Sequence, residues 1–429
     1  MTDGKQMRIL WLCNIVLPDI AGKLKIQASN KEGWLSGVSA SVKKSHDFEL
    51  GVCFPVPLEY DGFRDTIEGI DYFGFCEDTA HPEEYDKSLE DKLKIIVEDF
   101  KPDMVHIFGT EYPHTLAMAR VMEDNPDRLL IGVQGVMDVC AEHYLDGVPD
   151  YVIERTTLRD FLKQDSLLEQ KEKFEKRAAF EDVATVITGN ITGRTPFDLD
   201  FALRKNHEAK YHFLNETLRP EFYEGRWEEG NIENHSIFLS QGNYPIKGLH
   251  YMLRVMPHVL KKYPDAMLYV AGDNVTKHST AKEVLKLSSY GKYLLELIKK
   301  YNLEKHIVFT GNLSAAEVKE RLLKSHLFIC PSSIENSPNS LGEAMILGVP
   351  CIAANVGGVS GMFRDNADGI MFERGDVKGL YKAIDRMWSN SEEMRNYSEN
   401  ASMHAHITHN PEVNYKRLLE IYREITKCD

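Results

Sequence analysis

Apolar residues in the second half of the chain come in short runs: SIFLSQG (236–242), MLYVAG (267–272), IVFTG (307–311), LFICP (327–331) and CIAA (351–354). Between them lie stretches whose apolar positions recur at helical spacing, such as GLHYMLRVMPHVLKKY (248–263) and AEVKERLLKSH (316–326). Short buried runs alternating with helix-length amphipathic segments predict a parallel sheet wrapped by helices. The first half repeats the scheme with RILWLCN (8–14), ELGVCFP (49–55), MVHIFG (104–109), LLIGVQG (129–135) and ATVITGN (184–190). KPDMVHIFG (101–109) and YPDAMLYVAG (263–272) share the order Pro-Asp, apolar run, Gly. That order is common where a helix feeds a strand, so it supports two α/β domains rather than a duplication.

The stretch NETLRPEFYEGRWEEGNIENH (215–235) carries neither pattern and reads as the linker between the two series. After Pro411, EVNYKRLLEIYREI (412–425) has helical spacing and no strand to follow. The expected organisation is a Rossmann-like domain over 1–216, a second over 217–410, and a terminal helix over 411–429 docking back on the first. Two doubly wound sheets of this kind offer ligands the carboxyl ends of their strands, and function is expected in a cleft that both sheets face.

Charge narrows the partners. The 429 residues carry a formal charge of -15, which argues against nucleic acid and against tight adsorption to anionic lipid. The hydrophobic share of 43% and charged share of 27% belong to a folded, water-facing protein. Seven cysteines never approach a CxxC spacing and sit mostly in apolar runs, which suits a reducing compartment. MRILWLCNIVLP is interrupted by Asn14 and Pro18 and reads as a first buried strand rather than a signal segment. No apolar run reaches the roughly 20 residues a bilayer span needs. A cytoplasmic location is expected.

Candidate chemistry concentrates in SSIENSPNSLGEAMILGVPCIAANVGGV (332–359). Ser337 suits an N-cap, Pro338 the first helical position and Gly348 the exit. The N–H groups around Asn339 and Ser340 then form the positive end of a helix, suited to a phosphate. Glu335 on the approach and Glu343 in the second turn would repel that phosphate and suit hydroxyl groups attached to it. Each alone also reads as an ordinary surface or first-turn carboxylate.

Together these residues resemble the retaining glycosyltransferases of family 4, which have the GT-B fold. Glu335 and Glu343 match that family's E-x7-E signature, and LSQGNYPIKGLHYMLRVMPHVLKKYPDAMLYVAG (239–272) is similar to the segment supplying its phosphate-binding lysine, here Lys247. EGW (32–34) stands where the family has a Gly pair. The resemblance implies that Glu343 holds the nucleotide ribose, Glu335 lies beside the donor sugar, and Asn339 and Ser340 meet the distal phosphate or sugar hydroxyls. It implies that Lys247 neutralises the departing diphosphate, that Gly33 and Gly242 border the donor, and that Gly311, Asn312 and Leu313 line the base. Lys247, Glu335 and Glu343 form the expected catalytic set.

The chain also departs from the family. Where an arginine often precedes the lysine, Gly242 and Asn243 stand instead, which makes Arg194 a candidate cation, with a linker salt bridge as its other reading. An H-x-H pattern has Phe108 in place of its second histidine. His106 reads as core, while Glu111 and His114 follow the strand end and are cleft candidates. The resemblance implies sugar transfer from a UDP- or GDP-linked donor to an acceptor hydroxyl with retained configuration, without a metal or other cofactor. The acceptor expected is a glycan or lipid-linked glycan, with peripheral membrane association left open. A degenerate GT-B protein that binds without transferring is the first competing reading, and a nucleotide-sugar isomerase the second.

Overall fold

The structure is a computed structural model that describes residues 6–24, 35, 37–39, 42, 45 and 47–427. Its contacts divide the chain into two compact units: Met1–Asp138 with Lys173–Arg219 and His409–Asp429, and Val139–Glu172 with Pro220–Thr408.

The first unit is built on a sheet of β1 (Arg8–Leu12), β2 (Glu49–Val56), β3 (Arg64–Ile67), β4 (Ile70–Cys76), β5 (Met104–Phe108), β6 (Leu129–Gly132), β7 (Asn190–Gly193) and β8 (Lys210–Phe213). Its order is β3-β4-β2-β1-β5-β6-β7-β8, and every pair is parallel except the β3–β4 hairpin. The second unit has β9 (Glu233–Leu239), β10 (Met267–Ala271), β11 (Ile307–Gly311), β12 (Ser325–Cys330), β13 (Cys351–Asn355) and β14 (Gly369–Glu373). Its order is β11-β10-β9-β12-β13-β14. Counted from β9 this is 3-2-1-4-5-6, the doubly wound order in which the chain reverses direction between the first and fourth strands. Strands buried on both faces need no polar alternation, which is why SHLFIC of β12, buried at every residue, is so apolar.

Several elements differ from the sequence expectations. The apolar run Ala184–Ile187 ends the helix Leu167–Ile187 instead of forming a strand, and pairing starts at Asn190. Ala184 is buried while Val183, just before the run, and Val186 are exposed, the mark of a helical face. The strands β3 and β8 escaped notice because they are short, partly exposed and interrupted by charge, as edge strands are. The stretch read as a linker contributes Leu218, Phe222 and Trp227 to the interior. Trp227 donates its indole N–H to the Ser325 carbonyl at 2.8 Å.

Val139–Glu172, read from sequence as part of the first domain, groups with the second unit. Its Thr157–Asp160 capping box starts the helix Leu158–Lys163. The Asp160 carboxylate accepts the Ser289 N–H at 2.9 Å, and Arg155 donates to the Ser289 carbonyl at 2.9 Å.

The helix Pro411–Thr426 packs in the first unit. Tyr422 is fully buried there, its hydroxyl accepting from Trp11 Nε1 at 2.8 Å and lying 2.7 Å from His106 Nδ1. His106 is core, and burial pushes its pKa down to about 3, with His212 adding to the effect. Replacing Tyr422 with Phe leaves the Trp11 N–H and His106 without that partner, and a buried polar group so stranded costs about 1–3 kcal/mol. Tyr422→Phe is therefore expected to lower the urea unfolding midpoint; an unchanged midpoint would show that the network adds nothing to stability.

Candidate functional site

The second sheet reverses direction between β9 and β12, and the loops leaving those two strands are bound to each other. After β9, Pro245–Lys247 form one tight turn, and Gly248 then enters the helix Leu249–Lys262 with φ +73°. A Cβ at Gly248 would lie 2.1 Å from the Pro331 carbonyl oxygen, so only glycine lets the loop after β12 approach this closely. The Ser333 N–H donates to the Ile246 carbonyl at 2.7 Å.

Side chains complete the junction. Lys247 Nζ lies 2.6 Å from Glu335 Oε1, which also accepts the Ser332 hydroxyl at 2.7 Å. The two charged side chains are 22% and 12% exposed. Burial works against the Lys247 charge, yet the Glu335 carboxylate outweighs it and holds the ammonium above the ordinary lysine range. Glu335 is fixed by its backbone as well. Its carbonyl accepts the Gly358 N–H at 3.0 Å, and a Cβ at Gly357, where φ is +49°, would come within 2.1 Å of that oxygen.

The next helix is Asn339–Ile346, capped by Pro338 in an extended conformation rather than by Ser337. Ser337 instead turns its hydroxyl to Met362 Sδ at 3.5 Å. Asn339 and Ser340, both half-buried, are consequently the first two helical residues, at the positive end of the dipole. Glu343 lies one turn further on and is 5% exposed. Gly242 is buried against Leu249 and Val270. Gly311, Asn312 and Leu313 sit at the carboxyl end of β11, the sheet edge, where Asn312 donates to Asp273 Oδ1 at 3.0 Å. Among the sequence candidates, the structure brings Lys247 into contact with Glu335. It sets Asn339, Ser340 and Glu343 on the helix that follows the Glu335 loop.

In the first unit, Glu111 and His114 follow β5, beside the reversal between β1 and β5. His114 is fully buried, with Nδ1 2.6 Å from Glu77 Oε2, and its backbone N–H donates to Glu77 Oε1 at 3.1 Å. Its ring stacks on Tyr112 at 5.1 Å. These contacts fix the start of the helix Pro113–Val121. Glu111 is buried, and burial raises its carboxyl pKa against the lowering effect of Arg177. Arg194 is buried and ion-paired with Glu216, in the stretch read as the linker, which is the linker salt bridge of the two sequence readings. Gly33 lies outside the described residues.

Sequence reasoning passed over Glu181. It is fully buried, accepting the Thr110 hydroxyl and the Met137 N–H, the latter at 2.9 Å. The signal was its spacing: Ala178, Glu181, Ala184, Thr185 and Thr188 form the inner stripe of one helix and its exit. Burial pushes the Glu181 carboxyl up to about 8, partly offset by the Thr110 and Met137 hydrogen bonds. A folded-state pKa raised above the unfolded value contributes stability present below the ordinary carboxyl range and lost as pH rises through about 8. Glu181→Gln keeps the acceptor for Met137 without the charge. Its urea midpoint relative to the unsubstituted protein is expected to rise between pH 5 and 8 and then level off; a difference independent of pH would place the Glu181 pKa in the ordinary range.

Comparison with known proteins adds to this geometry. Residues 223–404 match the family model described as Glycosyl transferases group 1. YtcC of Bacillus subtilis (strain 168), whose own glycosyltransferase assignment is provisional, is 23% identical over 435 residues, covering 98% of this chain and 92% of YtcC. Sucrose-phosphate synthase (tll1590) from Thermosynechococcus elongatus superposes with a TM-score of 0.73 at 13% identity, over 98% of this chain and 100% of that one. Anabaena Alr3699/HepE in complex with UDP and glucose gives 0.67 at 14% identity, over 97% and 100%. The structural likenesses establish a GT-B fold of two parallel-sheet α/β units. Residues 223–404, within the second unit, thus carry the group 1 glycosyltransferase domain.

Proposed function

We propose that the chain is a retaining, metal-independent glycosyltransferase that moves a hexosyl group from a UDP- or GDP-linked donor to an acceptor hydroxyl, in cytoplasmic steps of glycan or cell-surface polysaccharide assembly. The observation that carries this reading is the Lys247–Glu335 contact at the strand-order reversal of the second sheet, with the helix Asn339–Ile346 following in the same loop. A lysine just ahead of a helix N-terminus opposes the dipole, and a diphosphate satisfies both. HepE, on the same fold, is a complex with UDP and glucose.

In this reading the donor's diphosphate lies against Lys247 and the Asn339–Ser340 amides. Glu343 takes the ribose hydroxyls, Glu335 the sugar hydroxyls, and Gly311, Asn312 and Leu313 the base, with Gly242 giving the loop room. The anomeric C–O bond to the diphosphate breaks and a new C–O bond to the acceptor forms on the same face. The acceptor's proton passes to the leaving diphosphate oxygen. Negative charge grows on the diphosphate in that step, where a preplaced cation and a helix N-terminus are most effective. The acceptor is a glycan or lipid-linked glycan; no helix among the described residues is long and apolar enough to cross a membrane.

Binding without transfer is the competing reading. It draws on Phe108, packed in the core 5.2 Å from the Trp11 ring, and on Arg194, committed to Glu216. Release of free nucleoside diphosphate only when an acceptor is present distinguishes transfer from binding alone.

Calorimetric titration with UDP, GDP and ADP is expected to show tight binding of UDP or GDP. Lys247→Ala, which removes a charge-assisted hydrogen bond of about 1.5–3 kcal/mol, should weaken it roughly 10- to 100-fold, and Glu343→Ala comparably. No binding of any nucleotide by folded protein would sink the proposal. Transfer rates measured with and without EDTA are expected to coincide; loss of activity in EDTA would overturn metal independence.

A further inference from the structure

Arg374 follows β14 and reaches back toward the loop that carries Glu335. Its Nη1 lies 3.4 Å from the Ser333 carbonyl and 3.3 Å from Asp146 Oδ2. The N–H of Ser333 donates to Ile246, the residue before Lys247. One residue is thereby gripped from both sides, by the turn bearing Lys247 and by Arg374, two positions ahead of Glu335.

Asp146 belongs to the Val139–Glu172 segment, and it is firmly seated. Its carbonyl lies 3.1 Å from His250 Nε2, and the neighbouring Gly147 carbonyl accepts from Arg254 at 2.6 Å. Both partners are on the helix that begins directly after Lys247. The Asp146 carboxylate also meets His143 Nδ1 at 3.0 Å. A closed circuit results: the Lys247 turn, its helix, Asp146, Arg374, Ser333 and back to the turn.

We propose that Arg374 and Asp146 are positioning residues for the donor site. Their ion pair fixes the Ser333 peptide and so the place of Glu335 relative to Lys247. This rests on the donor-site reading above. Neither side chain is core, at 36% and 32% exposed, and exposed ion pairs contribute little to global stability. Their removal therefore separates an effect on the site from an effect on the fold. Arginine is suited to the task because one planar guanidinium can face a carboxylate and a carbonyl together, which a lysine ammonium on a flexible stem does poorly.

The test uses the full chain and the nucleoside diphosphate it binds, with affinity by calorimetry and stability by thermal unfolding. Arg374→Ala and Asp146→Ala are each expected to weaken binding about 3- to 10-fold with little change in Tm, and the double variant to be no worse than either alone. Arg374→Lys should recover only part of the loss. Unchanged affinity in the single variants, losses that multiply in the double variant, or losses that merely follow a lowered Tm would each overturn the proposal. If the unsubstituted protein binds no nucleoside diphosphate, the donor-site reading fails and this proposal with it; normal binding that ignores Arg374 refutes the positioning role alone.

Discussion

A lysine placed just before a helix faces the positive end of the helix dipole and needs an anion nearby. In this chain Glu335 supplies it, 2.6 Å from Lys247. The pair forms because the second sheet runs β11-β10-β9-β12-β13-β14, which sets the loops after β9 and β12 side by side. Gly248 then allows those loops to touch backbone to backbone, and Gly357, after β13, lets a third loop close on the Glu335 carbonyl. Hydroxyl and amide contacts from Ser332 and Gly358 leave Glu335 little freedom. A cation held beside a helix N-terminus, with a carboxylate available to take hydroxyls, is the arrangement a sugar diphosphate calls for.

Much of this was legible in the sequence because buried parallel strands are written as uninterrupted apolar runs. The runs at 236–242, 267–272, 307–311, 327–331 and 351–354 correspond to β9 through β13. Glu335 and Glu343 were legible through their resemblance to the E-x7-E signature, and Lys247 through the resemblance of the segment 239–272. What escaped was local in the short edge strands β3 and β8 and tertiary elsewhere. ATVITGN is apolar enough for a strand, yet its first residues face the interior from a helix, and only packing distinguishes the two. Residues 139–172 follow strands of the first sheet in sequence, and nothing local announces that they pack with the second unit. Arg374 became visible only when β14, three strands from β9, returned it to the Ser333 carbonyl.

Charge in the first unit serves a different purpose. Glu77 anchors His114, Glu216 engages Arg194, and Glu181 accepts from Thr110 and Met137 at the carboxyl end of β5. The sequence offered His114 and Arg194 as cleft residues because polar groups just past a strand end are where ligands meet such sheets. Their burial shows them holding loops in place. Polar groups taken out of water must be paired, and here the pairing ties segments that leave different strands to one another. The group 1 match, over residues 223–404, falls in the second unit.

A crystal structure of the chain with the nucleoside diphosphate it binds tests the central claim most directly. Lys247 Nζ is expected to leave Glu335 for a phosphate oxygen, with the ribose on Glu343. A nucleotide bound elsewhere while the Lys247–Glu335 pair stays closed would contradict it.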